Sequence, residues 1–233
     1  AYHAQYPSHG YRWLNAKIRL DKGIILSNPY AHKCCKAAGI KSEAKHYKYK
    51  KPGVAGKVFP NLLLSELQID GPLQCIVSDM TAFRVKGVYY ELTLYMDLWN
   101  NEIVSHSLSS KRGDRMTYIS GLKELLELKK QYPEYQMILH SDQGSVYASK
   151  AYNDLLPMYV TRSMSRAGTP TDNGAMESIN GWIKAELFMD FHVTGDRPVE
   201  TEIDEYITFF NEQRPAYALN YLTPKQYRET YAP

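Results

Sequence analysis

The sequence predicts an α/β fold preceded by a small helical segment, on three observations. Residues 73–108 hold three strand-like runs in succession, and from residue 114 onward helical and strand-like runs alternate. Charge separates the two parts: residues 1–60 carry 12 Lys/Arg and 2 Asp/Glu, while residues 61–233 carry 16 and 23.

Each element has its own signal. Residues 8–22 read as a helix, with Ser8 able to cap it, Tyr11, Leu14, Ile18 and Leu20 forming an approximate stripe, and Lys22-Gly23 ending it. A second helix starts at Asn28-Pro29, a cap followed by proline at the first helical position, and ends at Gly39. Two short helices joined by a turn and carrying Arg12, Lys17, Arg19, Lys33 and Lys36 make residues 1–40 a helix-turn-helix-like module. Residues 41–60 form a basic linker without an apolar period, in which Lys48, Lys50 and Lys51 alternate with Tyr47 and Tyr49. Basic residues interleaved with aromatics suit a segment lying along DNA.

Residues 61–233 form the remaining domain, with helices at its C-terminal end. Its first strand spans about 73–78 and ends at Asp79. The second runs from Val88 to Leu98 with a period of two: Val88, Tyr90, Leu92, Leu94, Met96 and Leu98 are apolar, and Glu91, Thr93 and Asp97 lie between them. The third strand is Ile103–Leu108. Asp114 caps a helix over Met116–Lys130, and Pro133 follows it. A strand over Met137–His140, a helix over Lys150–Leu156, a strand over Tyr159–Ser163 and a helix through Glu177 complete the set. Three strands, a helix, then alternation is the order of a ribonuclease H-like fold.

Composition excludes several classes. With 44% apolar residues the chain can bury a core, and no run of 18 apolar residues is present to span a membrane. No secretory leader is visible. Three cysteines, Cys34, Cys35 and Cys75, fit a reducing compartment, and their spacing does not make a zinc knuckle.

Three carboxylates stand out. Asp79 follows Cys75-Ile76-Val77, Asp142 follows Met137-Ile138-Leu139, and Glu177 sits in the first turn of a helix. Two strand-end aspartates and a helix glutamate can converge to hold two divalent cations, roughly 3.5–4 Å apart, for in-line phosphoryl displacement. Asp97 also ends a strand and is the rival for the first position. On the helix, Met176, Ile179, Ile183 and Leu187 form the packing stripe, and Glu177, Asn180, Gly181 and Lys184 a polar one. Glu186 lies opposite Glu177. Asp172 and Asn173 precede the helix as caps. His140, two residues before Asp142, shares its sheet face and is a candidate contact to metal or phosphate. Arg166 and Lys184 are candidate phosphate contacts.

The string SMSRAGTPTDNGAMESINGWIKAEL, with HSDQGSVY and SDMTAF before it, resembles the DDE integrase core of IS3-family insertion-sequence transposases, relatives of retroviral integrase. The similarity extends over essentially the whole chain, including NEQRPAYALNYLTPKQY. Three ordered blocks with family spacing make it specific. Ile76 stands where the family usually has Trp, Thr81-Ala82 where Thr-Tyr is common, and Arg214-Pro215-Ala216 where Arg-Pro-His is.

The resemblance implies a transposase that cleaves one strand at transposon ends and transfers it into target DNA. It implies Asp79, Asp142 and Glu177 as catalytic metal ligands, two Mg²⁺ or Mn²⁺ ions, and a homo-oligomer on paired terminal repeats. It also implies a cytoplasmic, nucleoid-associated protein. The expected DNA contacts are Arg12, Lys48, Lys50, Lys51, His140, Arg166 and Lys184. A nuclease without strand transfer and a non-catalytic DNA-binding regulator are the alternatives. Because the strands lie downstream, a chain lacking residues 1–56 is expected to keep a folded core.

Overall fold

The computed structural model describes residues 1–44, 57–65, 67–166 and 169–232, and the side chains of 170, 171, 175 and 177 lie outside that description. Lys48, Lys50 and Lys51 therefore lie outside the described residues. The chain divides into two compact units, Ala1–Tyr47 with Gly181–Ala232, and Lys48–Asn180.

The second unit is built on a five-stranded sheet of β1 (Cys75–Val85), β2 (Val88–Asp97), β3 (Ile103–Ser109), β4 (Met137–Ser141) and β5 (Val160–Met164), in the order β3-β2-β1-β4-β5. The first three strands pair antiparallel, and β4 and β5 extend the sheet in parallel from β1. This is the ribonuclease H-like arrangement. Lys86 and Gly87, both at positive φ, close the β1–β2 hairpin, as a two-residue turn requires.

The first strand does not stop at Asp79. It continues to Val85 because β2 supplies partners along its whole length, Asp79 opposite Leu94 among them. In β2 the expected alternation is present in sequence, yet every residue from Glu91 to Asp97 is buried. One reason is the next helix. Gly121 lets it approach closely, since a Cβ there would lie 2.7 Å from the Tyr95 ring, and Tyr95 donates its hydroxyl to the Tyr118 carbonyl.

That helix, capped by Asp114, is the fourth in the chain. The helices are α1 (Tyr2–Gln5), α2 (Tyr11–Lys22), α3 (Asn28–Ala37), α4 (Arg115–Lys129), α5 (Lys150–Asn153), α6 (Gly174–Met189), α7 (Val199–Glu212) and α8 (Pro224–Tyr231). Leu122 and Leu125 of α4 join Ile76, Tyr95, Leu139, Tyr147 and Tyr152 in the core. Among the described residues no helix is long and apolar enough to cross a membrane. All three cysteines are free.

In the first unit, α2 starts at Tyr11 rather than Ser8, and Ser27 rather than Asn28 caps α3. Asn15 ties their connection by donating to Leu26 O and Asn28 Oδ1. These helices pack on the C-terminal ones. Tyr6 stacks on Phe209, Lys17 Nζ donates to the Gln213 carbonyl, and Ser8 donates to Asp190. Chain order assigns the C-terminal helices to the catalytic domain, whereas the contacts group them with the N-terminal helices.

Candidate active site

The parallel pairing of β1 with β4 ends at Ser78 opposite Ser141. Asp79 and Asp142 each lie one residue beyond that last pair, where β1 goes on and β4 does not. The sheet thus opens at the carboxyl ends of its parallel strands, the usual place for a site in an α/β sheet. Neighbouring strands lie about 4.8 Å apart, so the register alone brings the two carboxylates side by side.

Each aspartate is held. Asp79 accepts the Met80 N–H at Oδ1 (2.8 Å) and the Asn180 side-chain amide at Oδ2 (2.7 Å). Asp142 accepts the Gly144 N–H at Oδ1 (2.8 Å). The turn needs glycine there, because a Cβ on Gly144 would sit 2.8 Å from that same oxygen. Burial pushes the Asp142 carboxyl above its ordinary range, against the pull of the Gly144 N–H and of the Arg162 guanidinium. A desolvated carboxylate beside a second one favours a cation between them, and an all-oxygen set suits Mg²⁺ or Mn²⁺.

Glu177 lies in the first turn of α6, and its side chain is outside the described residues. Its helix position is informative nonetheless. Asn180 is three residues on, hence on the same stripe, and Asn180 touches Asp79. Among the described residues no group of three His, Cys, Asp or Glu converges. Asn180 itself is buried, and its Oδ1 has no hydrogen-bond partner among the described residues. Its place on the polar stripe was the available signal, but an amide in a helix does not announce a carboxylate partner 101 residues away.

His140 is a correction. It is 0% exposed, with Nδ1 on Ser163 Oγ (2.8 Å) and Nε2 on Ser165 Oγ (3.0 Å), so both ring nitrogens are spent on joining β4 to the end of β5 and not offered at the surface. Burial, then the Arg162 charge, lowers its pKa to about 4. A depressed histidine contributes stability that is present above about pH 6.5 and lost as the pH falls toward 4. The melting advantage of the wild type over His140→Gln should therefore shrink between pH 7 and pH 4.5 while DNA affinity stays equal. A loss of DNA affinity at unchanged stability would return His140 to the binding surface.

Other candidates fall as follows. Arg166 is exposed but engaged, its guanidinium gripping both oxygens of Asp172, which also accepts the Arg166 N–H. Asp172 is thus the lock of this loop, and Arg166 holds it well below the usual carboxylate range. Asp97 belongs to the framework. It is buried, it accepts the N–H groups of Leu73 and Trp99, and burial raises its pKa to about 7. Lys184 is half-buried on α6 and falls in the first unit, as does exposed Arg12 on α2. Arg162 was missed. It is buried in β5, donates to Leu139 O and Ser141 Oγ, and so fastens β5 to the strand that leads to Asp142. A lone arginine inside a strand was its only trace.

The model of the integrase core domain family matches residues 158–224. The transposase InsK of insertion element IS150 from Escherichia coli K12 is 30% identical over 237 aligned residues, covering 100% of this chain and 82% of that protein. The transposase of IS904 from Lactococcus lactis is 30% identical, covering 91% of this chain and 85% of its own length, and transposases of IS3 itself also match. The chain belongs to the IS3-type insertion-sequence transposases. The fold of this transposase is also that of retroviral integrases. A chain of the simian T-cell lymphotropic virus intasome aligns with TM-score 0.58 and 17% identity over 92% of this chain and 74% of that one. The HTLV-2 integrase catalytic core, solved in complex with magnesium, aligns with TM-score 0.53 and 18% identity over 68% and 97%.

Proposed function

We propose that this transposase breaks and joins DNA with Asp79, Asp142 and Glu177 as ligands for two divalent cations, Mg²⁺ or Mn²⁺. The hydrogen bond from Asn180 to Asp79 carries the reading, because it sets the helix that bears Glu177 against the strand pair that bears both aspartates. The magnesium named for the HTLV-2 core supports the choice of ion. When bound, such a pair of ions supplies activation of the attacking oxygen and stabilisation of the leaving one.

The chain's own part is placement and charge. Asp79 and Asp142 put two negative charges where β1 and β4 part, held by the Asn180 amide and the Gly144 N–H, and Glu177 would add a third from α6. In the first step water attacks a phosphodiester at the transposon end, its O–P bond replacing the bond to the 3′ oxygen, which leaves as a hydroxyl. In the second, that hydroxyl attacks a phosphodiester of target DNA and displaces another 3′ oxygen. Phosphodiester bonds are exchanged in this second step, so joining needs no energy source. The substrates are the terminal repeats and a target duplex, brought together by an oligomer of the chain on paired ends. Arg12 on α2 and the lysines of residues 41–60 serve as phosphate contacts.

The test is a joining assay with labelled terminal-repeat duplexes and Mg²⁺. The expected products are a shortened strand and longer joined strands. Cleavage without joined product would reduce the activity to a nuclease, and binding without either would make the chain a regulator. In the same assay Asn180→Ala should raise the Mg²⁺ needed for half-maximal activity by about 10–100-fold, as loss of a ligand-orienting partner does. An unchanged Mg²⁺ titration would make the Asn180 bond merely structural.

A further inference from the structure

Beyond the carboxylates, one end of the sheet gathers positive charge around a single ring. Arg84 and Tyr89 face each other across the β1–β2 hairpin. The Arg84 guanidinium lies 5.8 Å from the Tyr89 ring centre, and so does that of Arg112, from the β3–α4 turn. Lys86, Lys111 and Arg115 lie in the same two segments, and all five cations are exposed.

The acids nearby are spent on the framework. Glu91 accepts the Tyr89 hydroxyl and the Gly113 N–H, and Asp114 accepts Ser109 Oγ and the Met116 N–H. Residues 84–91 and 109–115 thus hold five Lys/Arg against two Asp/Glu, within a stretch, 61–233, whose overall balance is 16 against 23. The cluster reverses the sign of its surroundings.

We propose that this cluster is a grip for the phosphates of duplex DNA, separate from the catalytic carboxylates and serving the target duplex. The proposal rests on the transposition reading. Two guanidiniums over one ring lie within about 12 Å of each other, a span that a few successive phosphates fill at ~3.4 Å of rise each. Tyr89 is held by Glu91, so the ring is a fixed platform for both arginines. The cations sit on a hairpin turn and on the turn that opens α4, where they can meet phosphates, and phosphate contacts carry no sequence information. That suits a target duplex better than a transposon end, which must be recognised. Arg84 is five residues past Asp79 on one strand, about 16 Å, or about five base-pair rises. It alternates onto the opposite face, so the grip would take phosphates of the target duplex that flank the bond under attack, and not the strand in the site.

The experiment measures binding of the full chain to a random-sequence duplex between 50 and 200 mM salt. The double substitution Arg84→Gln with Arg112→Gln should weaken binding about tenfold or more and lower the salt slope by about 1.8, or ~0.9 per phosphate contact. Arg84→Lys with Arg112→Lys keeps the charges and should restore the slope. Lys130→Gln with Lys150→Gln removes two charges elsewhere on the same unit and should leave it unchanged. Should the Gln pair melt lower, Arg112→Cys bearing a photoreactive group decides, and it should crosslink to the duplex. An unchanged slope, an equal loss in the Lys130/Lys150 control, or no crosslink overturns the grip. So would a Gln pair that binds DNA normally but changes the oligomeric state, which would assign the cluster to an acidic face of a second copy. A wild-type chain that binds no DNA would sink the transposition reading itself, and the grip with it.

Discussion

Asp79→Asn, Asp142→Asn and Glu177→Gln each lower cleavage and joining by on the order of 10³-fold or more, the equivalent of about 4 kcal/mol of lost charge stabilisation. The folded chain should tolerate all three. Asn at 79 keeps an oxygen for the Met80 N–H, and Asn180 can turn its amide to present the Oδ1 that otherwise lacks a partner. Asn at 142 keeps the acceptor for the Gly144 N–H and removes a charge that burial opposes. DNA binding without metal should be unchanged. Asp97→Asn is the internal control. Its carboxylate serves backbone N–H groups of Leu73 and Trp99, so most activity should survive. Joining measured on all four variants, alongside melting, tests this. Activity retained in one of the three would remove that residue from the site, and activity lost in Asp97→Asn with normal melting would bring that residue in.

The order of strands and helices could be read from local patterns, since periodicity reports which faces are apolar. What it did not report is where a strand ends when its neighbour goes on. Val77 to Val85 mixes polar and apolar residues, and only the pairing with β2 shows that Asp79 lies within a longer strand. Alternation puts His140 on the face of Asp142, but it does not tell an open end of a face from a covered one. Ser163 and Ser165, from a strand adjacent only in space, close over the ring. Asn180 and Arg162 were hidden for the same reason, since their partners, Asp79 and the Leu139 carbonyl, are remote in sequence. The blocks around Asp142 and Glu177 were legible because turn chemistry is local. Gly144 is fixed by its neighbour Asp142, and Asp172 by Arg166 six residues before it.

Deleting residues 1–47 should cost the first unit its fold, contrary to what the downstream position of the strands leads one to expect. The sequence presents this segment as a detachable basic module, but its inner face is committed to the C-terminal helices. Glu186 of α6 is buried. It accepts Arg214 through two nitrogens and the Tyr206 hydroxyl, and His9 Nε2 stands 3.4 Å from it and 3.3 Å from Asp190. His9 in turn stacks on Trp13 at 3.7 Å. Without the segment, Phe209 loses Tyr6, Asp190 loses Ser8, and the Gln213 carbonyl loses Lys17. Phe209, 5% exposed with Tyr6 in place, would open to water at a cost of about 1.5–3 kcal/mol, and lost hydrogen bonds at about 0.5–1.5 kcal/mol each bring the sum close to what a helical unit of this size retains. Arg214→Ala tests the same network without shortening the chain, and leaving Glu186 buried and unpaired should cost about 3–5 kcal/mol. Circular dichroism melts and gel shifts on transposon-end DNA, run on the truncated chain and on Arg214→Ala, check this. If residues 1–47 were instead a free-standing DNA-binding module, the truncated chain would melt cooperatively near the wild-type temperature and lose only its hold on DNA. A truncated chain with weakened helical signal and an early, broad melt shows that the basic segment is part of the framework, so any phosphate it contacts is held from a surface that α7 and α8 keep in place.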